Sequence, residues 1–433
     1  MKPERRNVIL LTVDSLRADC VEAGLTPSLD RFAREAVVFS SAFSQGPYTN
    51  MSMPSLFTGR YPSQLAPIEV HGVCGVSVRG VPTLATLLAA AGYHTLGFHS
   101  NPFLSRVFGF DRGFAEFHDD LLLDGARLPA RWKLLLNRAH RLGRATPYLP
   151  AAALNRVVVA GLERAREPFF LWVHYMDPHG PYAAARGWGP LGKLRAERLW
   201  RKATRRPEEV SGQERDELWT GYRRRIASLD EHLGALFAEF SRRGLWEKSL
   251  VALTADHGDE FGEHGGYTHT HKLYDELVHV PLVVRAPGAV PHRVEEVVEL
   301  AQVVPTVLEE AGVPPPDGLA GDSLGLRRAG AGAAAGGASL SEAELIPNYL
   351  GCLREKDWKL IGEERSGREE LYDLRADPGE RRNVIAAHPQ VADRLREKWY
   401  ERRRGGVHAA RAQKLSAEDE ALVEARLRDL GYL

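Results

Sequence analysis

Three short apolar runs in this chain end in side chains that can bind a cation or move a proton, and this limits the folds open to it. Asn7–Val13 runs into Asp14, Phe169–Val173 into His174, and Ser249–Leu253 through Thr254-Ala255 into Asp256-His257. Short runs that are apolar on both faces are strands of a parallel sheet covered on both sides. Val37–Ser40, Tyr93–Ser100 and Val280–Arg285 read as further strands. Helical patterns fall between them, among them 27–36, 226–243 and 82–92, the last with proline near its start and glycine at its end. Thr49 to Gly59 reads as a loop that becomes a helix. Strands alternating with helices predict an α/β fold with a large, mostly parallel central sheet flanked by helices.

In such a sheet the ends of distant strands converge on one edge, where ligands and metals bind. Asp14, Asp256 and His257 can therefore meet, and an oxygen–oxygen–nitrogen donor set suits one divalent cation: Mn, Zn, Mg or Ca. Thr49, Asn101, His174 and His179 also lie just past predicted elements and are candidates for the same edge. A strand-ending carboxylate can equally cap a helix, and His174 can equally be a satisfied core residue. His264 and His269 read as surface loop residues.

Lysine plus arginine and aspartate plus glutamate number 57 each, so no net field favours nucleic acid or an anionic membrane. The segments 121–166 and 186–225 read as helical insertions. In the second, Trp188, Trp200 and Trp219 lie among arginines, but Glu197, Glu208, Glu209, Glu214 and Glu217 interleave with them, which reads as a solvated helical face. Three widely spaced cysteines imply neither a disulfide framework nor a zinc cluster. No run approaches the roughly 20 apolar residues of a membrane span, and the run after Arg6 is too short for a signal segment. The expectation is a cytoplasmic protein without a transmembrane segment. A Gly/Ala-rich stretch, 327–339, separates an expected catalytic domain (1–326) from a smaller C-terminal α+β subdomain (341–433).

At this point the residues resemble a family, the sulfatases of the alkaline phosphatase superfamily. Asn7–Asp19 is similar to its first strand and metal loop, and Ser52 through Leu56-Phe57-Thr58-Gly59-Arg60-Tyr61-Pro62 to its nucleophile helix. Ala91–Thr95, Asp177–Tyr182, Thr254–Gly265, Leu371–Asn383 and Leu427–Leu433 resemble later blocks, in family order. The resemblance implies an alkaline-phosphatase-like sandwich and a metal-dependent hydrolase. Its substrate would be a small or conjugated anionic ester of phosphate or sulfate.

Departures from the family pattern sharpen that implication. The family nucleophile is Cys or Ser, oxidised to formylglycine, in Cys/Ser-x-Pro-Ser-Arg. Counting back from Thr58-Gly59 places Thr49 there, with Met51 and Met53 at the proline and arginine positions. Threonine is not converted to formylglycine. Ser52, in Ser52-Met53-Pro54, ranks second because its spacing to Thr58-Gly59 differs. Asp14-Ser15 replaces Asp-Asp, and His99-Ser100-Asn101-Pro102 replaces the Gly-Lys-Trp-His block. These changes point to the superfamily's threonine users, phosphodiesterases and phosphoglycerol transferases, with Thr49 as nucleophile and as metal ligand beside Asp14, Asp256 and His257. Asn101 and His174 are then expected at the substrate, and His179 as leaving-group acid. Lys272 and its neighbour His271 lie where members carry a site lysine or histidine. Phosphoryl transfer is favoured over sulfuryl transfer; a transferase and a non-catalytic metal-binding member are the alternatives.

Overall fold

The computed structural model describes residues 5–22, 24–70, 73–119, 148–182, 190–327, 337–344, 349–403 and five positions between 416 and 424. The sequence readings for 120–147, 186–189 (Trp188 among them), 328–336 and 427–433 lie outside the described residues.

Among the described residues the central sheet has nine strands. They are β1 (Asn7–Val13), β2 (Val37–Phe43), β5 (His94–Phe98), β6 (Glu116–His118), β7 (Phe169–Tyr175), β8 (Ser249–Ala255), β11 (His279–Arg285), β12 (His292–Val294) and β13 (Val298–Glu299). Their order is β12-β2-β11-β8-β1-β7-β5-β6, with β13 also on β2. The numbers missing from this set belong to a hairpin, β3 (Ala66–Val70) and β4 (Val73–Ser77), and to the two-residue pair β9 (Glu260–Phe261) and β10 (Tyr267–Thr268). All central pairings are parallel except those of β11, which runs antiparallel to both β2 and β8. β1, β7 and β8 are buried along their whole length, as strands covered on both faces must be.

The helices are α1 (Ala18–Glu22), α2 (Pro27–Arg34), α3 (Thr49–Thr58), α4 (Leu84–Ala90), α5 (Ala151–Leu162), α6 (Pro190–Arg205), α7 (Gly212–Arg242), α8 (Asp275–Val278), α9 (Val303–Ala311) and α10 (Pro389–Arg403). α2 and α5 pack on α7, while α4 and α9 pack on α3. Four antiparallel strands, β14 (Ala338–Glu344), β15 (Leu350–Glu355), β16 (Trp358–Glu363) and β17 (Arg368–Asp373), form the C-terminal sheet, against which α10 packs through Leu395 and Trp399.

One expectation needs correcting. The helix read as starting near Ile226 is the second half of α7, a single helix of 31 residues. Ser211 and Glu214 close its start: the Glu214 N–H donates to Ser211 Oγ and the Ser211 N–H to Glu214 Oε2. Its first half is no solvated face throughout, because Leu218 and Tyr222 are buried and the Tyr222 hydroxyl donates to Ser15 O at 2.7 Å. A stripe from Leu218 through Tyr222, Ile226, Leu229, Leu233 and Leu236 follows the helical repeat, which the interleaved charges of the sequence conceal.

Candidate active site

Strand register alone brings the two acids together. Val13 of β1 pairs with Ala255 of β8, so the next residues, Asp14 and Asp256, leave the sheet side by side, about 5 Å apart along the hydrogen-bonding direction. The Asp256 N–H donates to Val13 O at 3.2 Å and the Asp14 N–H to Tyr175 O at 2.8 Å, so both chains hold the pairing to its last residue. Ser15 then turns at φ 59°, a sparsely populated conformation for a residue with a side chain. That turn aims its N–H at Asp256 Oδ1 (3.1 Å), while its hydroxyl donates to Asp14 Oδ1 (3.0 Å).

Thr49 is the first residue of α3, whose ten residues are all buried. Its hydroxyl donates to Asp256 Oδ2 at 2.9 Å and lies 3.5 Å from Asp14 Oδ2. A helix N-terminus favours negative charge, so the start of α3 suits both an ionised hydroxyl and an anionic ester. Asn101 completes the group. The Phe103 N–H donates to its Oδ1 (2.9 Å), which directs Nδ2 to Asp14 Oδ2 (2.9 Å) and Thr49 Oγ1 (3.4 Å). Ser52, the second-ranked nucleophile, is buried with no hydrogen-bond partner for its hydroxyl. Met53 fills the family's arginine position and is buried, with no charge to offer.

Asp14, Asp256 and His257 are all fully buried, with ligand atoms within 4.8 Å of one another. Burial pushes the carboxyl of Asp14 up, but His179, His174 and His257 together hold it far below the usual range. Burial and then the charge of Asp14 push Asp256 well above it. Two carboxylates this close and this dry cannot both ionise without a cation between them. Burial, reinforced by His269, pushes His257 down to about 4, which keeps its imidazole neutral as a ligand must be. Its Nδ1 bonds Gly258 O at 2.9 Å, and its Nε2 is buried without a hydrogen-bond partner, 3.5 Å from Asp256 Oδ2. An orphaned imidazole nitrogen beside two buried acids fits a divalent cation, with Thr49 as a further oxygen donor.

Of the remaining histidines, His264 and His269 are placed differently from the sequence reading. His174, expected at the substrate, is fully buried behind Asp14: Nδ1 is 2.9 Å from Thr12 Oγ1 and Nε2 is 3.4 Å from Asp14 Oδ2. It faces its register partner Thr12 on β1 and stands against the carboxylate of Asp14. Lys272, expected in catalysis, is committed elsewhere; its Nζ bonds Glu260 Oε2 (2.9 Å) and His264 O (2.8 Å). His271 is exposed, with its ring edge-on to Tyr48, the residue before Thr49. His264 and His269 are not surface residues. His264 is half-buried, stacked on Tyr274 and bonded to Glu276 Oε1 at 2.6 Å.

His269 is the residue whose place the sequence concealed. Its Nδ1 lies 3.0 Å from Asp259 Oδ1, and Tyr182 donates to the other oxygen of that acid at 2.6 Å. Its ring centroid is 4.5 Å from that of His257 and 5.3 Å from that of His179. Burial opposes charge on His269, yet the bond to Asp259 prevails and raises its pKa above the ordinary imidazole value. His179 is buried with its Nδ1 on Gly180 O at 2.7 Å, and burial pushes its pKa down. The signals in the sequence were Asp259, two residues beyond His257, and Tyr182, three beyond His179.

The sulfatase family model matches residues 6–313, and the chain belongs to that family: it is a hydrolase acting on sulfate or phosphate esters. Its sequence is 25% identical over 414 residues to the uncharacterized sulfatase YidJ of Escherichia coli, covering 83% of this chain and 78% of that protein. It is 30% identical over 198 residues to arylsulfatase K of Bos taurus, a match spanning 40% of this chain and 34% of that one. Among solved structures, the phosphonate monoester hydrolase of Silicibacter pomeroyi superposes with a TM-score of 0.73 at 24% identity, over 94% of this chain and 96% of that one. The alkaline-phosphatase-like sandwich, with a mostly parallel sheet and a C-terminal antiparallel sheet, is thus the fold of the chain. No helix among the described residues is long and apolar enough to cross a membrane.

Proposed function

We propose that the protein hydrolyses monoanionic phosphate esters, diesters or phosphonate monoesters, by in-line attack of Thr49. The observation that carries this reading is the Thr49 hydroxyl, seated between Asp14 and Asp256 at the N-terminus of α3. A divalent cation held by Asp14, Asp256, His257 and Thr49 would favour the ionised hydroxyl and balance charge on the ester oxygens. Thr49 forms a bond to phosphorus as the bond to the leaving oxygen breaks; its proton has a route out along the hydrogen bond to Asp256. Asn101 donates to a non-bridging oxygen of the group in transfer. The departing oxygen takes a proton from His269, whose bond to Asp259 favours the imidazolium, with His179 beside it as relay. Water then hydrolyses the threonine ester and restores both groups.

Charge selects the substrate. Beyond the cation and His269, the donor on the non-bridging oxygens, Asn101, is neutral; Met53 replaces a guanidinium, and Lys272 is held on Glu260. A site with few cations suits an ester with one negative charge better than one with two. Sulfate monoesters share that charge and are the second reading, favoured by membership of the sulfatase family. The test is a panel of bis-aryl phosphate, aryl phosphonate, aryl phosphate and aryl sulfate, assayed after chelation and re-addition of Mn, Zn, Mg or Ca. Cation-dependent turnover greatest on the bis-aryl phosphate or aryl phosphonate is expected. Turnover of aryl sulfate alone would transfer the proposal to sulfuryl chemistry, and no turnover of any ester with any cation would refute it.

A further inference from the structure

The geometry assigns Lys359 and Glu380, both in the C-terminal subdomain, as positioning residues for the active site. They hold the segment from His264 to Asp275 so that His269, in its middle, stays aligned with the leaving group. This rests on the reading of His269 as proton donor.

Lys359, on β16, is fully buried, with Nζ 2.7 Å from both Asp275 Oδ1 and Glu380 Oε1. Glu380 grips both ends of the segment. Its Oε2 accepts from the Asp275 N–H at 2.6 Å, and its main-chain oxygen lies 3.0 Å from His264 Nε2. Arg354 of β15 adds a second cation 3.5 Å from Asp275 Oδ2. Buried ions in this arrangement are weak evidence for stability, but removing one partner strands the others as uncompensated charge, so the loss of either is expected to disturb the segment they hold.

Between these anchors the segment carries little of its own regular structure; the two-residue strand β10, paired with β9, is all it has among the described residues. Strain points to the same places. Three non-glycine residues among those described have positive φ: Ser15 beside Asp14, Thr268 immediately before His269, and Glu380 itself. Strained residues persist where their surroundings over-determine them. The third lies far from the catalytic strand ends in sequence, yet it forms the clamp. Gly258 ties the neighbouring loop to the same region, since a Cβ there would stand 2.1 Å from Glu276 O, and its N–H donates to Leu277 O at 2.8 Å.

The test uses Glu380→Gln, which removes the charge facing Lys359, and Lys359→Met, in the full chain with the activating cation. Turnover is measured on two diesters that differ only in leaving-group basicity, a nitrophenyl and an unsubstituted phenyl ester. A displaced proton donor costs most where the leaving group most needs its proton. The expected kcat loss is about 10- to 100-fold on the phenyl ester and only about twofold on the nitrophenyl ester, with KM within about twofold on both. A merely structural role would lower both rates equally; equal losses, or no loss, overturn the assignment. If Lys359→Met fails to fold by circular dichroism, Glu380→Gln decides alone. Thr49→Ala is run alongside: its full activity would refute the nucleophile reading, whereas a dead Thr49→Ala beside unaffected clamp variants refutes only the clamp.

Discussion

Asp14 and Asp256 stand together because two parallel strands are in register, whereas His269 reaches the same centre from an irregular segment fastened at both ends to another sheet. The acid side draws its precision from local rules: a buried strand pair, one strained turn at Ser15 and the first turn of α3. The histidine side draws its precision from residues more than 80 positions away, Lys359 and Glu380. The first arrangement is stiff wherever the sheet is intact. The second depends on a buried ionic contact, so the two sides differ in what disturbs them, and that difference can be measured.

The largest effect belongs to the acid side. Thr49→Ala is expected to lower kcat at least about 10³-fold, with the fold unchanged by circular dichroism, while Ser52→Ala retains activity within about threefold. Equal loss in both would erase the distinction drawn between the two hydroxyls. Next come the proposed cation ligands. Asp256→Asn or His257→Ala should weaken cation binding at least about 10²-fold, and His174→Ala, acting only through Asp14, by about 10-fold; calorimetric titration with the activating metal orders the three.

On the histidine side, His269→Gln is expected to cost about 10²-fold in kcat on esters with basic leaving groups while leaving cation affinity intact. A matching loss of cation affinity would make His269 a ligand and merge the two sides into one.

The smallest effect concerns His264. Burial disfavours its charge, but the bond to Glu276 prevails and raises its pKa above the ordinary value. A histidine with a raised folded pKa contributes stability that is complete below the unfolded value, about 6.5, and lost as pH rises through the folded one. Thermal melts of wild type and His264→Asn should therefore differ most below the unfolded value, by about one degree, and converge as pH rises through the raised folded one. A gap that widens with pH would contradict this account of the histidine segment.

The sequence made these two sides unequally visible. Asn7–Val13 and Ser249–Leu253 announce central strands because they are apolar on both faces, and strand ends are where α/β sheets keep their chemistry. Thr49 was singled out by the family resemblance, which sets the nucleophile position by counting back from Thr58-Gly59. What periodicity cannot convey is which way a loop residue faces once a distant element has captured it. His269 and His264 look like polar loop residues, and it takes the bond to Asp259 for the first, and those to Glu276 and Glu380 for the second, to draw them inward. Lys272 was singled out only by the family resemblance, and the sequence does not convey that Glu260, two residues past Gly258, holds its ammonium. The first half of α7 was obscured by its charge, although the stripe through Tyr222 that touches the Asp14 turn was present in the spacing.

The most direct measurement is to quench the enzyme during turnover of a slow diester and map the adduct by peptide mass spectrometry. A phosphoryl ester on Thr49, lost in Asp256→Asn, is the predicted result. An adduct on Ser52, or steady turnover with no labelled residue at all, would contradict attack by the hydroxyl between Asp14 and Asp256.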